Sequence, residues 1–82
     1  MKGLTIMEYN IKITSTEQAQ KLNRIAEQYP FDIWVHGKSG QADAKSMLGL
    51  MLLTLESDVK LVVDDNINTK VLEKDISEFL AK

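Results

Sequence analysis

The chain has 82 residues, room for one domain and one core, and its net charge of −2 excludes the basic surface that a phosphate backbone or an acidic membrane needs. It has no cysteine, which excludes disulfide frameworks, thiol catalysis and thiolate zinc sites and fits a reducing cytoplasm. The opening stretch MKGLTIMEYNIKI is broken by Thr5 and Glu8, so it predicts neither a signal peptide nor a membrane span, and the expected location is cytoplasmic.

Residues 7–13 alternate, with Met7, Tyr9, Ile11 and Ile13 on one parity and Glu8, Asn10 and Lys12 on the other, the mark of a half-buried strand. Thr14-Ser15-Thr16 ends the alternation and starts a helix, capped either by Thr14 with Glu17 or by Ser15 with Gln18. Ala19, Leu22, Ile25, Ala26 and Tyr29 make its buried face, and Pro30 stops it. Residues 32–36 predict a second strand, with Ile33 and Val35 inward and Trp34 and His36 outward. Gly37-Lys38-Ser39-Gly40 is turn chemistry, and a short third strand follows over 41–44.

The stretch AKSMLGLMLL, residues 44–53, predicts a short helix. A fourth strand follows over 59–64, with Val59, Leu61 and Val63 inward. Asn68 is the expected cap of a last helix, with Ile67 and Leu72 as its staple and Val71, Leu72, Ile76, Phe79 and Leu80 as its buried stripe. The order is β-α-β-β-α-β-α. It predicts an α+β two-layer sandwich, an antiparallel sheet with helices on one face. Glu8, Asn10, Lys12, Trp34, His36, Lys60 and Val62 fall on the open face.

This order, together with AKSMLGLMLL, resembles the HPr family, the small phosphocarriers of the bacterial sugar phosphotransferase system. Asp32-Ile33, the eleven-residue gap to Lys45-Ser46, and the run Lys-Ser-apolar-apolar-Gly-apolar-Met carry the likeness. It implies one HPr-like domain over residues 1–82, an open-faced sandwich of four antiparallel strands in the order 1-4-2-3 under three helices. The family's carrier motif, Gly-x-His-Ala-Arg-Pro at the first helix, is replaced here by Thr14-Ser15-Thr16-Glu17-Gln18-Ala19. Histidine and proline are gone, and Glu17 stands near where the arginine would help. The resemblance therefore implies a member without phosphohistidine transfer, somewhat like the histidine-lacking relative Crh. No catalytic residue, cofactor or metal is expected, and the chain is not expected to be an enzyme. His36, the one histidine, lies on the open face with no helix terminus or arginine assigned to it, and reads as a strand-surface residue.

Ser46 matches the serine that an ATP-dependent kinase modifies in HPr proteins and Crh of low-GC Gram-positive bacteria, whose phosphorylated form binds a catabolite-control transcription factor. The resemblance thus implies an HPr kinase and a transcriptional regulator as protein partners. From the residues alone Ser46 equally reads as a plain helix cap. In the apolar run, Leu50 and Leu53, with Leu55 beyond them, fall on one arc and predict core. Met47, Leu48 and Met51 fall on a second arc and predict a partner-docking patch. Trp34 beside Val62 reads as a cross-strand shield or as a second docking spot. Two functions remain. One is a regulatory protein-interaction module switched at Ser46, and the other a diverged HPr-fold binding or scaffold domain without phosphorylation. Neither a nucleic acid nor a membrane is expected as a partner.

Overall fold

Alternation at the start of the chain produces an outer strand. In the computed structural model, which describes residues 6–38, 40–53, 58–64 and 69–80, β1 (Ile6–Lys12) pairs antiparallel with β4 (Asp58–Asp64). The register sets Tyr9 opposite Leu61 and Ile11 opposite Val59 on one face, and Asn10 opposite Lys60 on the other. β4 also pairs antiparallel with β2 (Trp34–Gly37), and β2 with β3 (Gly40–Asp43). The sheet order is β1-β4-β2-β3, the α+β topology expected from the sequence.

Three helices cover one face: α1 (Thr16–Glu27), α2 (Met47–Leu53) and α3 (Lys70–Asp75), the last followed by a 3-10 turn at Ser77–Phe79. Ile11, Val35, Leu61 and Val63 of the sheet meet Leu22, Ala26, Leu50, Leu72, Ile76 and Phe79 in one core. Val62 points to the open face, as its parity requires, yet only 5% of it is accessible. Its cross-strand neighbours are Glu8 and Trp34, and Trp34 itself is 37% exposed. A buried Val62 beside a partly exposed indole is the arrangement that the cross-strand shield reading of Trp34 requires.

Of the two capping arrangements open at α1, the chain uses Ser15 with Gln18. The Gln18 amide donates to Ser15 Oγ at 3.2 Å. Gln18 Oε1 reaches back one residue further than a simple capping box, accepting from the Thr14 amide at 2.7 Å and the Thr14 hydroxyl at 2.9 Å. The helix ends at Glu27, ahead of Pro30, because the residue before a proline is pushed out of the α region.

The end of the chain departs from the sequence reading. The expected cap Asn68 and staple residue Ile67 lie outside the described residues, as does Leu55. The cap position is Thr69, whose side chain makes no capping bond. Val71 and Leu80, expected in the buried stripe, are exposed. Leu72, Ile76 and Phe79 already follow one helical face, and Val71 lies a quarter-turn off it. Leu80 leaves the helical path altogether and bridges Ile11 beside β1. The second strand also starts later than predicted, at Trp34, although Ile33 is buried as expected.

Two tyrosines tie α3 to the rest of the molecule. The Tyr29 hydroxyl donates to Asp75 at 2.5 Å, and the Tyr9 hydroxyl donates to Glu73 at 2.6 Å with Thr69 Oγ1 3.2 Å away. Burial, reinforced by the Asp75 carboxylate, pushes the Tyr29 phenol up to about 12, and burial with Glu73 raises Tyr9 as well. Below pH ~10 both folded and unfolded chains keep the Tyr29 proton, and its contribution is fully present. Between about pH 10 and 12 the unfolded chain ionises first, so this stability is lost as pH rises. Urea unfolding from pH 8 to 12 is expected to show an alkaline loss that Tyr29→Phe reduces, by about 1 kcal/mol or less because solvent screens the partly exposed phenol, with Tyr9 supplying a further part. An equal alkaline loss in the variant would assign it elsewhere.

Candidate functional site

The start of α2 is fixed from both sides before any partner is considered. Asp43, the last residue of β3, accepts from the Lys45 amide on its side chain at 2.9 Å and from the Ser46 amide on its backbone carbonyl at 2.8 Å. That is an Asx turn, and it delivers Ser46 to the helix at a set angle. From α1, Asn23 donates to the Ala44 carbonyl at 3.0 Å and anchors the same turn.

Ser46 occupies the cap position. Its carbonyl accepts the first helical bond from Leu50 at 3.1 Å, and its hydroxyl accepts from the Gly49 amide at 3.4 Å, a long and weak cap bond. The side chain is exposed. Gly49 has a separate packing role. A Cβ at this position would stand 2.9 Å from the Ala42 Cβ, so glycine lets α2 lie close against β3. This gives the Lys-Ser-x-x-Gly pattern a physical basis, a capping serine and then a helix–strand contact three residues on.

The apolar run divides as the helix periodicity requires. Leu50 and Leu53 are buried, whereas Leu48 is 75% exposed, Leu52 64% and Met51 39%. Met47 differs from the expected patch, because it is half-buried and packs against the core. Leu52, outside the expected patch, is exposed and adds to that surface. Its signal was available, since the step from Leu48 to Leu52 is one helical turn. The hydrogen bonds from Asn23 and Asp43 carried no comparable sequence pattern.

At the start of α1, where the family's carrier motif would fall, the chain's own side chains engage two amides. Ser15 takes the Gln18 amide and Gln18 takes the Thr14 amide, while Glu17 adds a carboxylate to the first turn. A phosphoryl group favours free amides and the positive end of the helix dipole, and a carboxylate there opposes it. His36 sits on β2 of the open face, half-buried, opposite Gln41 and Lys60. Sheet residues separate it from α1 and α2. Among the described residues no group of three acidic or histidine side chains is placed to hold a metal, and no helix is long and apolar enough to cross a membrane.

A family model described as the PTS HPr component phosphorylation site matches residues 14–81. A search of curated proteins gives no match. Among solved structures, the crystal structure of HPr-C-His from Thermoanaerobacter tengcongensis has a TM-score of 0.67, 20% identity and 88% coverage of each chain. At that identity the structural likeness establishes the fold. The family match spans α1 through the 3-10 turn, a range that includes the capping serine and close-packed glycine of α2, and this chain belongs to the HPr family of the phosphotransferase system.

Proposed function

We propose that this protein is an HPr-like regulatory module that works by protein–protein contact, without phosphohistidine transfer, and that Ser46 is its switch. One observation carries the reading. An exposed serine caps a helix whose outward face presents Leu48, Met51 and Leu52 while its inward face, Leu50 and Leu53, is core. A partner that recognises Ser46 therefore meets an apolar surface within the next two turns, with the half-buried Met47 at its margin. Phosphate on Ser46 would add nearly two negative charges at a helix start, worth ~0.3–1 kcal/mol to the helix at an exposed site. The larger effect is on the partner. A surface carrying arginine opposite that point is favoured, and an acidic one is rejected. The kinase and the transcriptional regulator implied by the family likeness are the partners this reading names.

Incubation with ATP and a purified HPr kinase, followed by intact-mass measurement, is expected to add one phosphate, and Ser46→Ala to remove it. An unmodified chain under conditions that modify an ordinary HPr would make Ser46 a plain cap. The weak bond from Gly49 to Ser46 Oγ would then be its whole role, and the protein a binding or scaffold domain.

A further inference from the structure

The open face of the sheet carries a cleft that the α2 surface does not explain. It measures about 470 Å³ and lies where the end of β1, the start of β4 and the end of β2 converge. Asn10, His36, Lys38, Asp58 and Lys60 line it together with Ile11, Gly37 and Val59, and most of its accessible wall is apolar. The strand register makes this more than a loose cluster. Asn10 stands opposite Lys60 and Lys60 opposite His36, so one rung of the sheet carries an amide, an ammonium and an imidazole side by side. Paired residues on one face hold their Cβ atoms ~5 Å apart, so Asn10 and His36 flank Lys60 on either side, within side-chain reach of a ligand seated over it.

Charge favours an anion there. Among the described residues, Lys38 and Lys60 line the cleft beside a single carboxylate, Asp58, and Lys12 and Glu8 flank it. The carboxylates hold their lysines loosely, Glu8 to Lys60 at 3.7 Å and Asp58 to Lys12 at 3.8 Å, all four side chains being largely exposed. Such pairs contribute little and yield to a better anion. An arginine fork suits carboxylate and phosphate alike, and the chain's single arginine, Arg24, lies on α1, so lysine is the charged donor at the cleft. Point-charge lysines with neutral donors arriving from three strands suit a tetrahedral oxyanion.

We propose that this cleft binds the phosphoryl group of a small phosphorylated molecule, held by Lys60 and His36 with Asn10 completing the donors. Lys38 adds to the field at the mouth, and Asp58 is placed to accept a hydroxyl of whatever the phosphoryl group is attached to. The volume leaves room for several atoms beyond the phosphate. The site is on a different element set from Ser46 and does not depend on the switch proposed for it.

The test is a ¹H–¹⁵N titration of the whole protein with inorganic phosphate, and separately with glycerol phosphate, each against sodium chloride at matched ionic strength. Saturable shifts are expected at the amides of Asn10, His36, Gly37 and Lys60, with affinity on the order of millimolar. Lys60→Gln should weaken binding about fivefold or more, by removing a charge-assisted bond. Glu8→Gln should tighten it about two- to threefold, since Glu8 competes for Lys60. Tighter binding of glycerol phosphate than of phosphate identifies an organic phosphate as the better fit, and equal binding identifies the phosphoryl group alone. Shifts that follow chloride, that centre on α1 or α2, or that ignore both substitutions overturn the proposal. If Lys60→Gln unfolds the chain, the Glu8→Gln result decides, because a merely structural role for Glu8 gives no gain in affinity.

Discussion

Supplied with phosphoenolpyruvate, enzyme I and radiolabel, the protein is expected to stay unlabelled on histidine. The reason is local chemistry at the start of α1. A phosphocarrier needs a nucleophilic imidazole beside free helix amides, with a cation to share the incoming charge. Here residues 14–19 contain no histidine, the Gln18 and Thr14 amides are spent on Ser15 and Gln18, and Glu17 supplies negative charge. The remaining imidazole, His36, is on the opposite layer of the molecule, on a strand and not at a helix end. The comparison is all-or-none, with a carrier HPr labelled in the same tube and this chain at background. Acid-labile label that disappears in His36→Ala would show that a strand histidine suffices and that the docking surface has moved to the open face.

Which face of each strand turns inward is legible in local signals, whereas the strand order comes only from the family resemblance. Alternation over Met7–Ile13 and Val59–Val63 sets which side chains enter the core, and a register slip by one residue would have inverted both. The arc division of α2 was readable on the same ground, since Leu50 and Leu53 share a face that Leu48 does not. Met47 shows where periodicity alone falls short. It opens the helix next to the turn at Asp43 and packs against the core, a tertiary contact that spacing within the helix does not encode. The α3 region failed for a related reason. A stripe of apolar residues at helical spacing says nothing about where a helix stops, and the bridge from Leu80 to Ile11 joins positions far apart in sequence. The tyrosine ties to Asp75 and Glu73 are likewise tertiary, as no spacing rule connects positions 29 and 75. The cleft at His36 was half readable: parity grouped its residues on one face, and only the register aligned Asn10, Lys60 and His36 on one rung.

Two leucines two residues apart in α2 should behave as opposites. Leu50 is fully buried, in the core with Leu22, Leu61 and Phe79. Leu50→Ala removes that burial and leaves a cavity, with an expected cost of about 3 kcal/mol. A domain of this size holds only ~4–12 kcal/mol in total, so the variant should unfold at a much lower urea concentration. Leu48 is 75% exposed on the same helix, and leucine and alanine differ little in helix propensity. Leu48→Ala should therefore change stability by less than about 0.5 kcal/mol. If Leu48 is a docking contact beside Ser46, the same substitution should lower kcat/KM of an HPr kinase by about tenfold, which corresponds to ~1.4 kcal/mol of lost apolar contact. Urea titration of both variants measures the first contrast, and kinase assays on Leu48→Ala the second. Comparable destabilisation by the two substitutions would mean that Leu48 is covered in solution. A stable Leu48→Ala protein phosphorylated at the parental rate would instead remove Leu48 from the kinase-docking surface and leave Met51 and Leu52 to account for it.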